Sequence, residues 1–87
     1  MINNVEIYTK PGCSHCVRSK KELTSHNIPF TEHVLDVNFT KEMLLEKFPT
    51  VKTFPIIVID GFNIGGYNQL VSKINEEFSD TRQLLNE

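Results

Sequence analysis

The sequence predicts an α/β fold: a four-stranded mixed sheet flanked by helices, in the order βαβαββα. Three observations carry that prediction. Val5-Glu6-Ile7-Tyr8-Thr9 is a strand-like run of β-formers that ends at the turn residues Pro11-Gly12. Ile56-Ile57-Val58-Ile59 and Phe62-Asn63-Ile64 flank Asp60-Gly61, the dipeptide suited to a two-residue type I′ hairpin turn. Tyr67, Leu70, Val71, Ile74 and Phe78 then recur at helical spacing and form a stripe that reads as core packing.

The remaining elements follow from their start and stop signals. Good helix formers run from Ser14 to about His26, where Asn27 suits a left-handed terminus and Pro29 forbids continuation. Phe30 to Val37 is β-branched and aromatic enough for a second strand. A right-handed crossover through the first helix makes that strand parallel to the first. Thr40 to Phe48 presents Met43, Leu44 and Phe48 at helical spacing and meets its stop at Pro49. After the hairpin, Gly65-Gly66 ends the last strand and a third helix starts at Tyr67. Ser79-Asp80-Thr81 is placed to break or recap that helix before Leu84-Leu85.

With 87 residues, 39% hydrophobic and 23% charged, the chain reads as one domain over 1–87 with ordinary globular usage, not as a disordered segment. Folding a chain of this mass buries about 64% of its extended surface, enough for a small core. The longest purely aliphatic run, Ile56 to Ile59, falls far short of the ~20 apolar residues that span a bilayer, so no membrane partner is expected. A formal net charge of -2 gives a nucleic-acid partner no global electrostatic support. Lys10, Arg18, Lys20 and Lys21 outweigh Glu6 over 1–21, so a small anion near that end is reasonable; solvated, scattered charge explains the pattern equally well. Met1 to Glu6 lacks the basic flank and apolar core of a secretory signal, which makes a cytoplasmic location the expectation.

Cys13-Ser14-His15-Cys16 is the sharpest chemical feature, a C-x-x-C between the end of a strand and the start of a helix. A sulfur at the helix cap meets unpaired N–H groups and the positive end of the helix dipole, which stabilises a thiolate. Such a thiolate at Cys13 can attack a disulfide, and Cys16, three residues on and on the same face, can resolve the mixed disulfide. Half of a zinc site is the other reading. It needs two further ligands from His15, His26 and His33, at spacings that do not match the usual finger pattern.

Four motifs in this order resemble the glutaredoxin family: Val5-Glu6-Ile7-Tyr8-Thr9-Lys10, the C-x-x-C, Thr53-Phe54-Pro55 and Gly65-Gly66. The match spans residues 5 to about 78, and the small size is similar to bacterial and phage members; for a phage member the cytoplasm is the host's. The resemblance implies a thioredoxin fold and a monomeric, glutathione-dependent oxidoreductase acting on disulfide-containing and glutathionylated proteins. It implies Cys13 as nucleophile, Cys16 as resolving thiol, and Pro55 as the family's cis-proline, leaving the backbone of Phe54 free to pair with the cysteinyl part of glutathione. Thr53 resembles the residue beside it. Gly66 and the N–H groups at Tyr67 would receive the γ-glutamyl carboxylate, since glycine permits close approach and a helix start attracts anions. Lys10 and Lys52 resemble basic positions near the glycyl carboxylate or the thiolate, although each also reads as a solvated lysine.

Four positions depart from the family pattern. Phe54 replaces a smaller aliphatic residue, which would narrow the groove. Asn68 stands where Asp is frequent, removing a charge partner for the amino group of glutathione. His15 and Ser14 replace the more usual tyrosine and proline. An imidazolium at His15 would stabilise the thiolate further, while an exposed side chain is the plain alternative. Ser14 is similar to members that hold a [2Fe-2S] cluster between two protomers, each giving one cysteine and one glutathione. That cluster carrier, and a thioredoxin-like electron donor served by a reductase protein, are the two alternatives to the enzyme.

Overall fold

Side-chain alternation along the central strands decides how the layers assemble. The computed structural model describes residues 2–86, with side-chain environments through residue 77. Its elements are β1 (Val5–Thr9), α1 (Ser14–Ser25), β2 (Phe30–Val34), α2 (Lys41–Lys47), β3 (Ile56–Ile59), β4 (Phe62–Gly65) and α3 (Tyr67–Asn86). The sheet order is β2-β1-β3-β4, with β1 parallel to β2 and antiparallel to β3, and β4 antiparallel to β3. This is the mixed sheet of the thioredoxin fold.

Successive residues of a strand face opposite sides, so β1 and β3 feed two cores. Val5, Ile7, Ile57 and Ile59 meet Leu23 of α1 and Leu70 and Ile74 of α3 on one face. Tyr8, Ile56 and Val58 meet Phe39 and Leu44 on the other. All four residues of β3 are buried, as expected for an interior strand covered on both faces. Asp60 and Gly61 have φ of 52° and 84°, the two positive values that a type I′ turn requires.

Helix α1 ends in a Schellman motif: the N–H of Asn27 bonds the Thr24 carbonyl at 3.0 Å and the N–H of Ile28 bonds that of Leu23 at 2.9 Å. Asn27 supplies the left-handed residue, with φ 57°. Helix α2 starts at Thr40, whose hydroxyl accepts from the Met43 N–H at 3.2 Å.

Two expectations change. The second strand stops at Val34 instead of reaching Val37. The N–H groups of Val37 and Asn38 both return to the Val34 carbonyl, at 3.0 and 2.8 Å, Asp36 turns left-handed with φ 64°, and Asn38 Oδ1 accepts from the Val34 N–H at 2.8 Å. Asn38 outweighs the β-branched composition by bonding the turn through its side chain, and Asp36 tolerates the left-handed backbone that the turn needs. Helix α3, in turn, runs unbroken through 79–81 to Asn86. Ser, Asp and Thr each disfavour a helix by only about half a kcal/mol, and no Gly or Pro forces an end. The side chains of Phe78 and of 79–87, and hence their docking, lie outside the described set.

Leu23 is fully buried where α1 meets the sheet and α3. Leu23→Ala should therefore cost about 2–5 kcal/mol in urea unfolding, with the slope unchanged. A loss below half a kcal/mol would show that α1 is not anchored there.

Candidate active site

The site begins at the end of β1. Thr9 is buried, Lys10-Pro11-Gly12 carries the chain off the sheet, and Cys13 becomes the N-cap of α1 with φ -96° and ψ 105°. Its Sγ accepts the Cys16 backbone N–H at 3.1 Å, so the sulfur itself satisfies one of the free donors of the first turn. Cys13 and Cys16 are joined in a disulfide, with Cα atoms 5.2 Å apart. The two sulfurs are not equivalent. Cys16 is 2% exposed, on the face of α1 that also buries Ser19 and Leu23, whereas Cys13 is only half-buried.

Two clefts open at the end of the sheet where β1 finishes and β3 begins, and the second of them includes the cysteine pair. One, of about 410 Å³, is lined by Lys52, Thr53, Pro55, Gly65, Gly66 and Gln69, among others. The other, about 440 Å³, is lined by Lys10, Cys13, Cys16, Lys20 and Glu32, among others, and lies toward β2. The Phe54-Pro55 peptide bond is cis. Phe54 does not line the first cleft: its ring stacks on Phe39 at 6.4 Å, beneath the Lys10 ammonium at 5.7 Å. The expected narrowing of the groove by Phe54 is therefore absent, because the ring finds an apolar partner in the second core.

His15 is exposed, with its ring 5.7 Å from that of Tyr67, which joins the C-x-x-C to the start of α3. Asn68 sits in a smaller neighbouring cleft, of about 210 Å³, with Ile64, Gln69, Ser72, Lys73 and Glu76. Ile64 and Gln69 line both that cleft and the one with Pro55. His26 and His33 are elsewhere: His26 caps α1, and His33 Nε2 meets Glu6 Oε1 at 2.9 Å. Among the described residues no three or more His, Cys, Asp or Glu side chains gather as a metal site.

Sequence reasoning missed two groups. Gln69 Oε1 accepts the Gly66 N–H at 2.9 Å, taking a donor expected to face an anion. The arrangement is the N3 half of a capping box, with Gly66 as N-cap and Gln69 at the third helical position, and the glutamine three residues after the Gly66 stop was its available signal. A Cβ on Gly65, at φ 118°, would come within 2.7 Å of Gln69 Cγ, so glycine there keeps this cap seated. The second missed group is Glu32, whose Oε2 accepts from Thr9 Oγ1 at 2.7 Å and from Lys20 Nζ at 3.0 Å. Burial pushes its carboxyl up, but the bonds from Thr9 and Lys20, with the charge of Lys20, outweigh it and hold the pKa below the ordinary value. A carboxylate placed one strand over from Ile7 faces the core, and that position was the clue to a partner.

A half-exposed cysteine capping a helix, bonded to a buried one in a thioredoxin fold, defines a thiol-disulfide oxidoreductase. Comparison with known proteins narrows the class. The glutaredoxin family model matches residues 5–64. Glutaredoxin 3 of Escherichia coli strain K12 is 42% identical over 67 residues, covering 77% of this chain and 81% of the relative. Among solved structures, glutaredoxin 1 from Francisella tularensis complexed with cacodylate aligns with a TM-score of 0.69 at 30% identity, covering 97% of this chain and 98% of that one. The dithiolic glutaredoxin 2-C-Grx1 of Trypanosoma brucei brucei gives 0.72 at 29% identity, covering 91% and 84%. The chain belongs to the glutaredoxin family.

The unequal exposure of the two sulfurs yields a direct test. In the reduced protein, iodoacetamide should modify Cys13 at least ~tenfold faster than Cys16, because Cys13 combines access with the helix start. Peptide mass spectrometry over a time course reads both rates, and equal rates would remove the assigned asymmetry.

Proposed function

We propose that this protein is a glutathione-dependent reductase of protein disulfides and of glutathione mixed disulfides. The observation that carries the reading is the N-cap position of half-exposed Cys13 over buried Cys16. Cys13 thiolate attacks the substrate disulfide, forming a mixed disulfide and releasing one substrate thiol. Cys16 then attacks Cys13 Sγ, expels the second thiol and closes the intramolecular disulfide. Two glutathione thiols reopen it, supplying two electrons and two protons and leaving as glutathione disulfide. For a glutathionylated substrate the route is shorter: Cys13 takes the glutathionyl group and a second glutathione removes it.

The cleft lined by Lys52, Thr53, Pro55, Gly65 and Gly66 is the glutathione site in this reading. Lys52 offers charge to a carboxylate, and the N–H groups of Tyr67, Asn68 and Gln69 are the remaining donors of the α3 start once the Gln69 side chain has taken that of Gly66. Lys10 and His15 flank the sulfurs on the exposed side. Disulfide-containing and glutathionylated proteins are the partners, and the protein works as a monomer in the cytoplasm. No helix among the described residues is long and apolar enough to cross a membrane.

Reduction of a small mixed disulfide should proceed with glutathione and not with a thioredoxin-type reductase; the reverse preference would make the protein a thioredoxin-like donor. Cys16→Ser should keep most activity on a glutathionylated substrate, whereas Cys13→Ser should abolish it, since the shorter route never uses the resolving thiol. Equal losses in the two variants would contradict the division of roles. Asn68→Asp should tighten glutathione by a few-fold, about 0.5–1 kcal/mol, by pairing its amino group across a partly exposed gap. Unchanged calorimetric affinity would place Asn68 outside the site.

A further inference from the structure

Beneath the cysteine pair lies an ion pair that the reaction as described does not use. Lys20 stands four residues beyond Cys16 on α1, so the two side chains share one helix face. Lys20 and Glu32 line the same cleft as Cys13 and Cys16, and Lys20 Nζ lies 3.0 Å from Glu32 Oε2. The pair is partly screened, with side chains 35% and 28% exposed. Glu32 is held from a second side by the buried Thr9, so its carboxylate cannot swing away without giving up that bond. Lys10 is the other charged residue lining this cleft, and its ammonium is drawn over Phe54.

Reduction changes the charge next to this pair. The disulfide is neutral. Two electrons from two glutathione thiols break the S–S bond and leave Cys13 as thiolate and Cys16 as thiol; one proton goes to Cys16, the other to solvent, and the two glutathiones leave as glutathione disulfide. The reduced state thus carries a negative charge that the oxidised state lacks, and any fixed charge facing the sulfurs shifts the balance between them. A lone Lys20 would favour the dithiol. A lone Glu32 would favour the disulfide.

We propose that Lys20 and Glu32 act as a charge-compensated positioning pair that sets the reduction potential of Cys13–Cys16, each member cancelling the other's pull on the thiolate. Glu32 holds the potential below the value that Lys20 alone would impose, and Lys20 holds it above the value that Glu32 alone would impose. The inference rests on the reading of Cys13 as the thiolate of the reduced pair.

The test is a double-mutant cycle on the full chain, equilibrated in glutathione and glutathione disulfide, with the disulfide fraction quantified by alkylation. Glu32→Gln keeps the side-chain shape and an acceptor for Thr9, and should move the equilibrium roughly fivefold toward the dithiol for a solvent-screened charge. Lys20→Met should move it roughly fivefold toward the disulfide, and the double variant should return to within about twofold of the parent. A merely structural role predicts no such opposition of sign. Two single variants that shift the same way, or that leave the equilibrium unmoved, overturn the proposal. Either variant reads its sign alone, so one that fails to fold leaves the other decisive. Ultraviolet thiolate absorbance of the reduced parent separates the two layers: without a thiolate at neutral pH the functional reading falls with this one, and with a thiolate but unmoved equilibria the charge pair alone falls.

Discussion

β1 is the constraint on which the rest of the molecule depends. It is paired on both sides, in parallel register from Val5 with Phe30 to Thr9 with Val34 and antiparallel from Val5 with Ile59 to Tyr8 with Ile56. An interior strand has no freedom to slide, because a one-residue slip would turn Val5 and Ile7 out of one core and Tyr8 out of the other. Its last residue is held as firmly, with the Thr9 carbonyl accepting the Leu35 N–H at 2.9 Å and its hydroxyl bonded to Glu32. Only Lys10, Pro11 and Gly12 separate that anchor from the sulfur of Cys13, so the sheet fixes where the reactive atom stands.

The surroundings of the sulfurs divide by chemistry. The Pro55 and Gly65-Gly66 side offers backbone and small residues, suited to an extended ligand lying along the chain. The β2 side offers a closed ion pair and Thr9. No residue lines both clefts, so a substitution in the lining of one leaves the lining of the other unchanged.

Much of this was legible in the sequence, because the signals were local. Asp60-Gly61 specifies its turn by backbone sterics alone, and Asn27 before Pro29 specifies the end of α1. Cys13 at a strand-to-helix junction specifies its own role as cap, and the parallel crossover follows from chain handedness. What stayed hidden depends on partners distant along the chain. The direction of the Phe54 ring is decided by Phe39, fifteen positions away, and the meaning of Glu32 by Thr9 and Lys20. The end of β2 was missed for another reason: a single amide, Asn38, overrode a composition rich in strand formers. Gln69 was readable as half of a capping box, yet a ligand role for the Gly66 N–H competed with it for the same donor.

Cys13 is at once the N-cap of α1 and a member of the reacting pair. Most helices entrust that bond to an oxygen that takes no part in chemistry. Here the donor of the first turn points at a sulfur that is itself half of the Cys13–Cys16 disulfide. Replacing Cys13 with alanine would therefore remove a helix cap and the disulfide in one step, whereas serine would keep an oxygen at the cap and remove the disulfide alone.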